Sequence, residues 1–234
     1  MHIGHHHPEE AENGRVERFK LEAGEQVSLL YPGQIIAYRG EPQGRADRFM
    51  TLKGMYRKRK LLQADITGPC EFLTALPHGF YLKTLPIRGN SDLLFEFRNL
   101  FFYTPGIHME HKVLQLKKMI VTRDWMKMKL SGEGLVGILT YGPLYEIELD
   151  EREPLFVDAR CVVAMPENAS LKLCVYGNHL ASQHMNYHWS MTGNGVALVQ
   201  GSLAGPELEK EHRQDGLIKR VLREVIPFGG VFIK

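Results

Sequence analysis

A weak internal repeat with a period of about sixty residues constrains this chain more than any other feature. Three runs, Ile66-Thr67-Gly68-Pro69-Cys70, Leu130-Ser131-Gly132-Glu133-Gly134 and Met191-Thr192-Gly193-Asn194-Gly195, share one pattern: an apolar residue, a hydroxyl residue, glycine, any residue, then a small one. Their central glycines lie 64 and 61 residues apart. A second set, Ile35-Ile36-Ala37-Tyr38, Phe101-Phe102-Tyr103-Thr104 and Val162-Val163-Ala164-Met165, runs out of phase with the first at spacings of 66 and 61. Self-similarity at a fixed spacing implies one structural unit used several times. The registry predicts three superposable β units, over about 16–64, 65–128 and 129–204. Ile36, Phe102 and Val163 are expected at equivalent positions. Gly68, Gly132 and Gly193, with Gly134 and Gly195, are expected at equivalent bends.

The chain has 234 residues, long enough to bury a sizeable core. A net charge of +2 gives no bulk attraction to nucleic acid or membrane. No apolar run approaches the ~20 residues of a membrane helix, and no signal-peptide layout opens the chain, so a cytoplasmic location is expected. Cys70, Cys161 and Cys174 form no CxxC pair and read as buried reduced thiols. Residues 1–15, with His2, His5, His6 and His7, read as a disordered or tag-like tail too poor in apolar surface to order itself.

From Phe19 onward short β-branched and aromatic runs alternate with turn signals such as Pro32-Gly33, Gly68-Pro69, Gly89-Asn90, Pro105-Gly106 and Gly142-Pro143. Period-two patterning appears at Leu144 to Asp150 and at Leu171 to Val175. The class is all-β and antiparallel. One exception is expected: Leu217, Ile218, Val221, Leu222 and Val225 form a helical stripe over 215–225, which Pro227 ends.

The repeat residues also carry a resemblance. Leu130-Ser131-Gly132-Glu133-Gly134-Leu135-Val136, the strand Phe156-Val157-Asp158 to Met165, and the opening Leu21-Glu22-Ala23-Gly24-Glu25 with Tyr31-Pro32-Gly33 are similar to the altered inheritance of mitochondria protein 24 family over about residues 19–204. That family resembles the tryptophan RNA-binding attenuation protein in fold. The resemblance implies three double-stranded β-helix-like units per chain and a homotrimeric ring with pseudo-ninefold geometry. Mitochondrial members are linked to inner-membrane organisation. Where many members carry a glycine-rich stretch, residues 51–60 here read TLKGMYRKRK.

On their own chemistry, the repeat glycines turn corners and the preceding Ser or Thr bonds local backbone. No helix follows them to build a phosphate cradle. His179, His184 and His188 are the candidate metal ligands, and they lack an acidic or cysteine partner in the sequence. His108-Met109-Glu110-His111 is not HExxH. The run Lys53, Arg57, Lys58, Arg59 and Lys60 is the candidate anion site, with only Tyr56 to stack on a base. No serine lies in a GxSxG elbow, and Asp158 reads as a structural acceptor for turn amides. The leading expectation is a non-enzymatic oligomeric β scaffold or interaction protein, without catalytic residues or cofactor. An RNA- or anion-binding ring and a cupin-like metal-dependent enzyme stand as alternatives.

Overall fold

The computed structural model describes residues 1–6, 15–50, 61–112, 127–175 and 187–202. Within them the chain is all-β, and its helical turns are three-residue 3-10 segments at Pro32–Gln34, Pro42–Gly44 and Phe97–Asn99. The expected helix over 215–225 lies outside the described residues.

The first sheet holds β1 (His2–His6), β2 (Arg15–Leu21), β7 (Cys70–Leu76) and β4 (Ile35–Gly40), in that order. β7 alternates strictly, with Cys70, Phe72, Thr74 and Leu76 inward, as a half-buried strand must. Opposite Phe72 in the ladder is Phe19, and their rings stack at 4.8 Å. Phe102 meets Phe19 edge-on at 5.4 Å, closing this core.

The largest sheet contains β3 (Gln26–Leu29), β5 (Arg45–Met50), β6 (Leu61–Thr67), β8 (Phe80–Glu96), β9 (Leu100–Tyr103) and β10 (Ile107–Lys112). β11 (Lys127–Tyr141), β12 (Leu144–Glu148), β14 (Val162–Pro166) and β17 (Val196–Gln200) complete it. The third sheet is β13 (Leu155–Asp158), β16 (Tyr187–Thr192) and β15 (Ser170–Val175).

Two long strands carry the chain round a bend together. β8 and β11 pair along almost their whole length, and Gly89 faces Gly132 where they turn. Both have positive φ, +69° and +100°. A Cβ on Gly132 would also drive into the Gly106 carbonyl oxygen, so only glycine fits. Gly68 ends β6 hard against the Glu22 carbonyl, another close backbone approach. Gly134 lies in β11, while Gly193 and Gly195 flank the turn from β16 into β17.

Three separate apolar cores result. One centres on Phe19, Phe72 and Phe101, one on Phe95, Leu130 and Ile138, and one on Trp189, Met191 and Val162. The expected tail is in part a strand: His2–His6 pairs with β2, Ile3 packs on the first core, and the Met1 ammonium meets the Glu25 carboxylate. Ladder hydrogen bonds and that ion pair supply what the sequence alone lacked. All three cysteines are free, but only Cys70 is buried; Cys161 and Cys174 are half-buried. Among the described residues no helix is long and apolar enough to cross a membrane.

Candidate functional site

Among the described residues four outer strands present large apolar side chains to solvent: Ile36 on β4, Phe49 on β5, Tyr145 on β12 and Phe156 on β13. β4 leaves the Pro32–Gln34 turn, whose proline fixes the entry φ, and runs along the edge of the first sheet. Its register against β7 slips between Ile35 and Ala37, so Ile36 stands out of the ladder, 57% exposed. The strand ends where Tyr38 donates its hydroxyl to the Glu41 carbonyl at 3.1 Å. β13 is an outer strand of the third sheet, and Phe156 on it is 42% exposed while Val157 turns into the core. An unpaired strand edge with exposed apolar residues is a template for another strand.

The cluster around Asp158 is internally satisfied, whereas the buried Asn99 donates to the Leu139 carbonyl and the Gln200 side-chain oxygen and leaves its own Oδ1 without a partner among the described residues. Asp158 accepts the Arg160 amide at 2.9 Å and its guanidinium at 3.0 and 2.7 Å, the structural role expected of it. Burial pushes this carboxyl up, but Arg160, with help from His188, outweighs it and holds it below the usual carboxylate range. Across the third sheet Asp158 faces His188, and His188 faces Cys174. That row has the residue types of an acid–imidazole–thiol relay. The thiol is wrong for it: burial pushes Cys174 up, and its Sγ lies 3.6 Å from the His188 carbonyl oxygen.

In the second core Lys127 faces Glu96 across β11 and β8, and both side chains are buried. Burial alone pulls the Lys127 ammonium down to about 7, and the Glu96 carboxylate is the opposing charge. A shallow open recess of about 370 Å³ lies between β5, β6 and the β9–β10 turn. Its cation, Arg48, is engaged by Asp65 at 2.6 Å. Asp65 also accepts Ser28 and Gln63, and Gln63 accepts the Tyr103 hydroxyl at 3.1 Å.

Of the candidate metal ligands only His188 is described, and His179 and His184 lie outside the described residues, as do Lys53, Arg57, Lys58, Arg59 and Lys60. Among the described residues no three His, Cys, Asp or Glu side chains are grouped to hold a metal. Sequence reasoning missed the Glu96–Lys127 pair and the exposed apolar residues on the outer strands. The pair carries no local motif, since its members are 31 residues apart and meet only through register.

Comparison with known proteins places this geometry. A crystal structure of protein SPYM3_0169 from Streptococcus pyogenes has the same fold, with a TM-score of 0.60, 13% identity, and coverage of 94% of this chain and all of that one. No curated protein matches. The family model described as mitochondrial biogenesis AIM24 matches residues 10–205. That match takes in strands of all three sheets, all but β1, and the chain therefore belongs to the mitochondrial biogenesis AIM24 family.

Proposed function

We propose that this protein is a non-enzymatic β scaffold, built from three copies of one six-strand unit and assembled into a homotrimeric ring that organises other macromolecules. The observation that carries the reading is a recurrence of pairings. β6 lies between β3 and β5, the first part of β11 between the end of β8 and β10, and β16 between β13 and β15. β7 lies between β2 and β4, the second part of β11 between the start of β8 and β9, and β17 between β12 and β14. Each unit is thus a pair of three-stranded sheets, double-stranded β-helix-like, over one of the three apolar cores.

Fine registry supports the same division. β4, β9 and β14 each slip by one residue, at Ile36, Phe101 and Val163. Just before the slip they face Thr74, Ile138 and Val199, each six residues after Gly68, Gly132 and Gly193. The middle marker moves from Phe102 to Phe101. Unit limits move to 15–76, 80–141 and 144–200, because pairing keeps together the strands on either side of each glycine.

Repeated units that bury one another leave the two end units incomplete, and closing them head to tail gives a finite ring. Light scattering tests the reading. A mass three times 26.7 kDa is expected at micromolar protein, and a monomer refutes the ring.

A further inference from the structure

The first and third units differ in how one equivalent strand is covered. Glu17, Lys83 and Tyr145 are equivalent, since they face Thr74, Ile138 and Val199 across β2–β7, β8–β11 and β12–β17. Two residues on, Phe19, Leu85 and Ile147 face Phe72, Val136 and Ala197. In the first unit β1 lies on the outer edge of β2, with Ile3 opposite Phe19 and His5 opposite Glu17. Under that added strand Glu17 is 4% exposed and Phe19 is fully buried. In the second unit no described strand pairs with the start of β8 on that side, and the position holds Lys83, an exposed charge that suits an open edge. The third unit has neither device. Among the described residues β12 is an end strand, with Tyr145 54% exposed and Ile147 half-buried.

Three observations point to the segment that follows β17, residues 203–234. The first is where it leaves. Gly201 donates its amide to the Pro143 carbonyl at 2.7 Å, and a Cβ on it would lie 2.9 Å from the Tyr145 ring. The chain therefore departs beside the exposed ring. The second is length. A strand laid on β12 as β1 lies on β2 runs parallel to β17, so its connection must return along the five residues of β12, about 17 Å. The helical stripe expected over 215–225 spans about 16 Å, and the apolar run Val231-Phe232-Ile233 follows it. The third is charge. β12 and the turn after it expose Glu146, Glu148, Asp150, Glu151 and Glu153, with Arg152 the one base among them. Residues 216–234 carry Lys219, Arg220, Arg223 and Lys234 against one acid, Glu224. The family match ends at residue 205, so nearly all of this segment lies beyond it.

We infer that the segment 203–234 crosses back over the third unit of its own chain and adds Val231-Phe232-Ile233 as a strand on the open edge of β12, antiparallel as β1 is to β2, with Ile233 opposite Tyr145 and Val231 opposite Ile147. That strand supplies ladder partners to the free edge and covers Tyr145 and Ile147 as β1 covers Glu17 and Phe19. The contact is within one chain, and it rests on the three-unit division rather than on the ring.

Hydrogen exchange of the full chain, read at protein concentrations about a hundredfold apart, tests it. The amides of β12 should be protected equally at both concentrations. Combining Val231→Asp with Ile233→Asp touches none of the three cores, and should speed β12 exchange at least about tenfold while β7 exchanges as before. β12 amides that exchange as fast in the wild type as in the double variant overturn the inference. So does protection that rises with concentration, since a second copy would then be the cover. Light scattering of the same samples reads the ring separately. A trimer with unprotected β12 overturns this inference alone, and a monomer with protected β12 overturns the ring alone.

Discussion

Removing one member of the Glu96–Lys127 pair should expose how much the second core spends on a buried charge. Lys127 and Glu96 face each other in the β11–β8 ladder with side-chain exposures of 3% and 2%. Breaking a buried pair by removing one partner costs about 3–5 kcal/mol, because the remaining charge has neither water nor counter-ion. Glu96→Gln keeps the shape and strands the lysine, which burial alone holds near 7 against 10.5 in the unfolded chain. The sign follows from proton binding. Between those values the unfolded state is protonated and the folded lysine is not, so the stability of the variant rises with pH by roughly 1.4 kcal/mol per pH unit. Below about 7 the folded amine must carry its charge unpaired, and the full cost appears. Urea unfolding of Glu96→Gln and wild type, run in parallel from pH 7 to 9.5, measures the difference between them. The gap should narrow steadily as pH rises. A gap that stays constant over that range would show that Lys127 is not held as an isolated buried base, and the reasoning fails.

Two further changes test the scaffold. Gly132→Ala should cost about 2 kcal/mol or more, since it forces a Cβ at φ +100° into the Gly106 carbonyl; a loss under 0.5 kcal/mol in urea unfolding would refute the bend. Asp158 is held below its ordinary 3.8, so its contribution is present above that value and fades as pH falls through the lower folded one; Asp158→Asn should flatten the acid limb of the stability profile below about pH 4, and an unchanged limb counts against it.

The class was legible in the sequence because its cause is local. Alternation such as Cys70 to Leu76 and turn pairs such as Gly142-Pro143 act within a few residues, and so does the demand for glycine at Gly132. The strand β1 was not legible. His2–His6 has no apolar alternation of its own and is held by the backbone edge of β2 and by Glu25. The slip within β9 is not local either. In Phe101-Phe102 two like residues are adjacent, and only pairing with β11 decides which one the slip leaves out.

Register also explains why the buried pair looked like nothing. Glu96 faces Lys127 and Asp158 faces His188, each an acid across the ladder from a base. β14 covers the strand that carries Glu96, and both charges there are buried. Among the described residues β13 is an edge strand, and its acid recruits Arg160 from its own turn. Desolvating a lone carboxylate costs several kcal/mol, so the buried Glu96 needs a charge that only register brings to it, while Asp158 finds Arg160 two residues on.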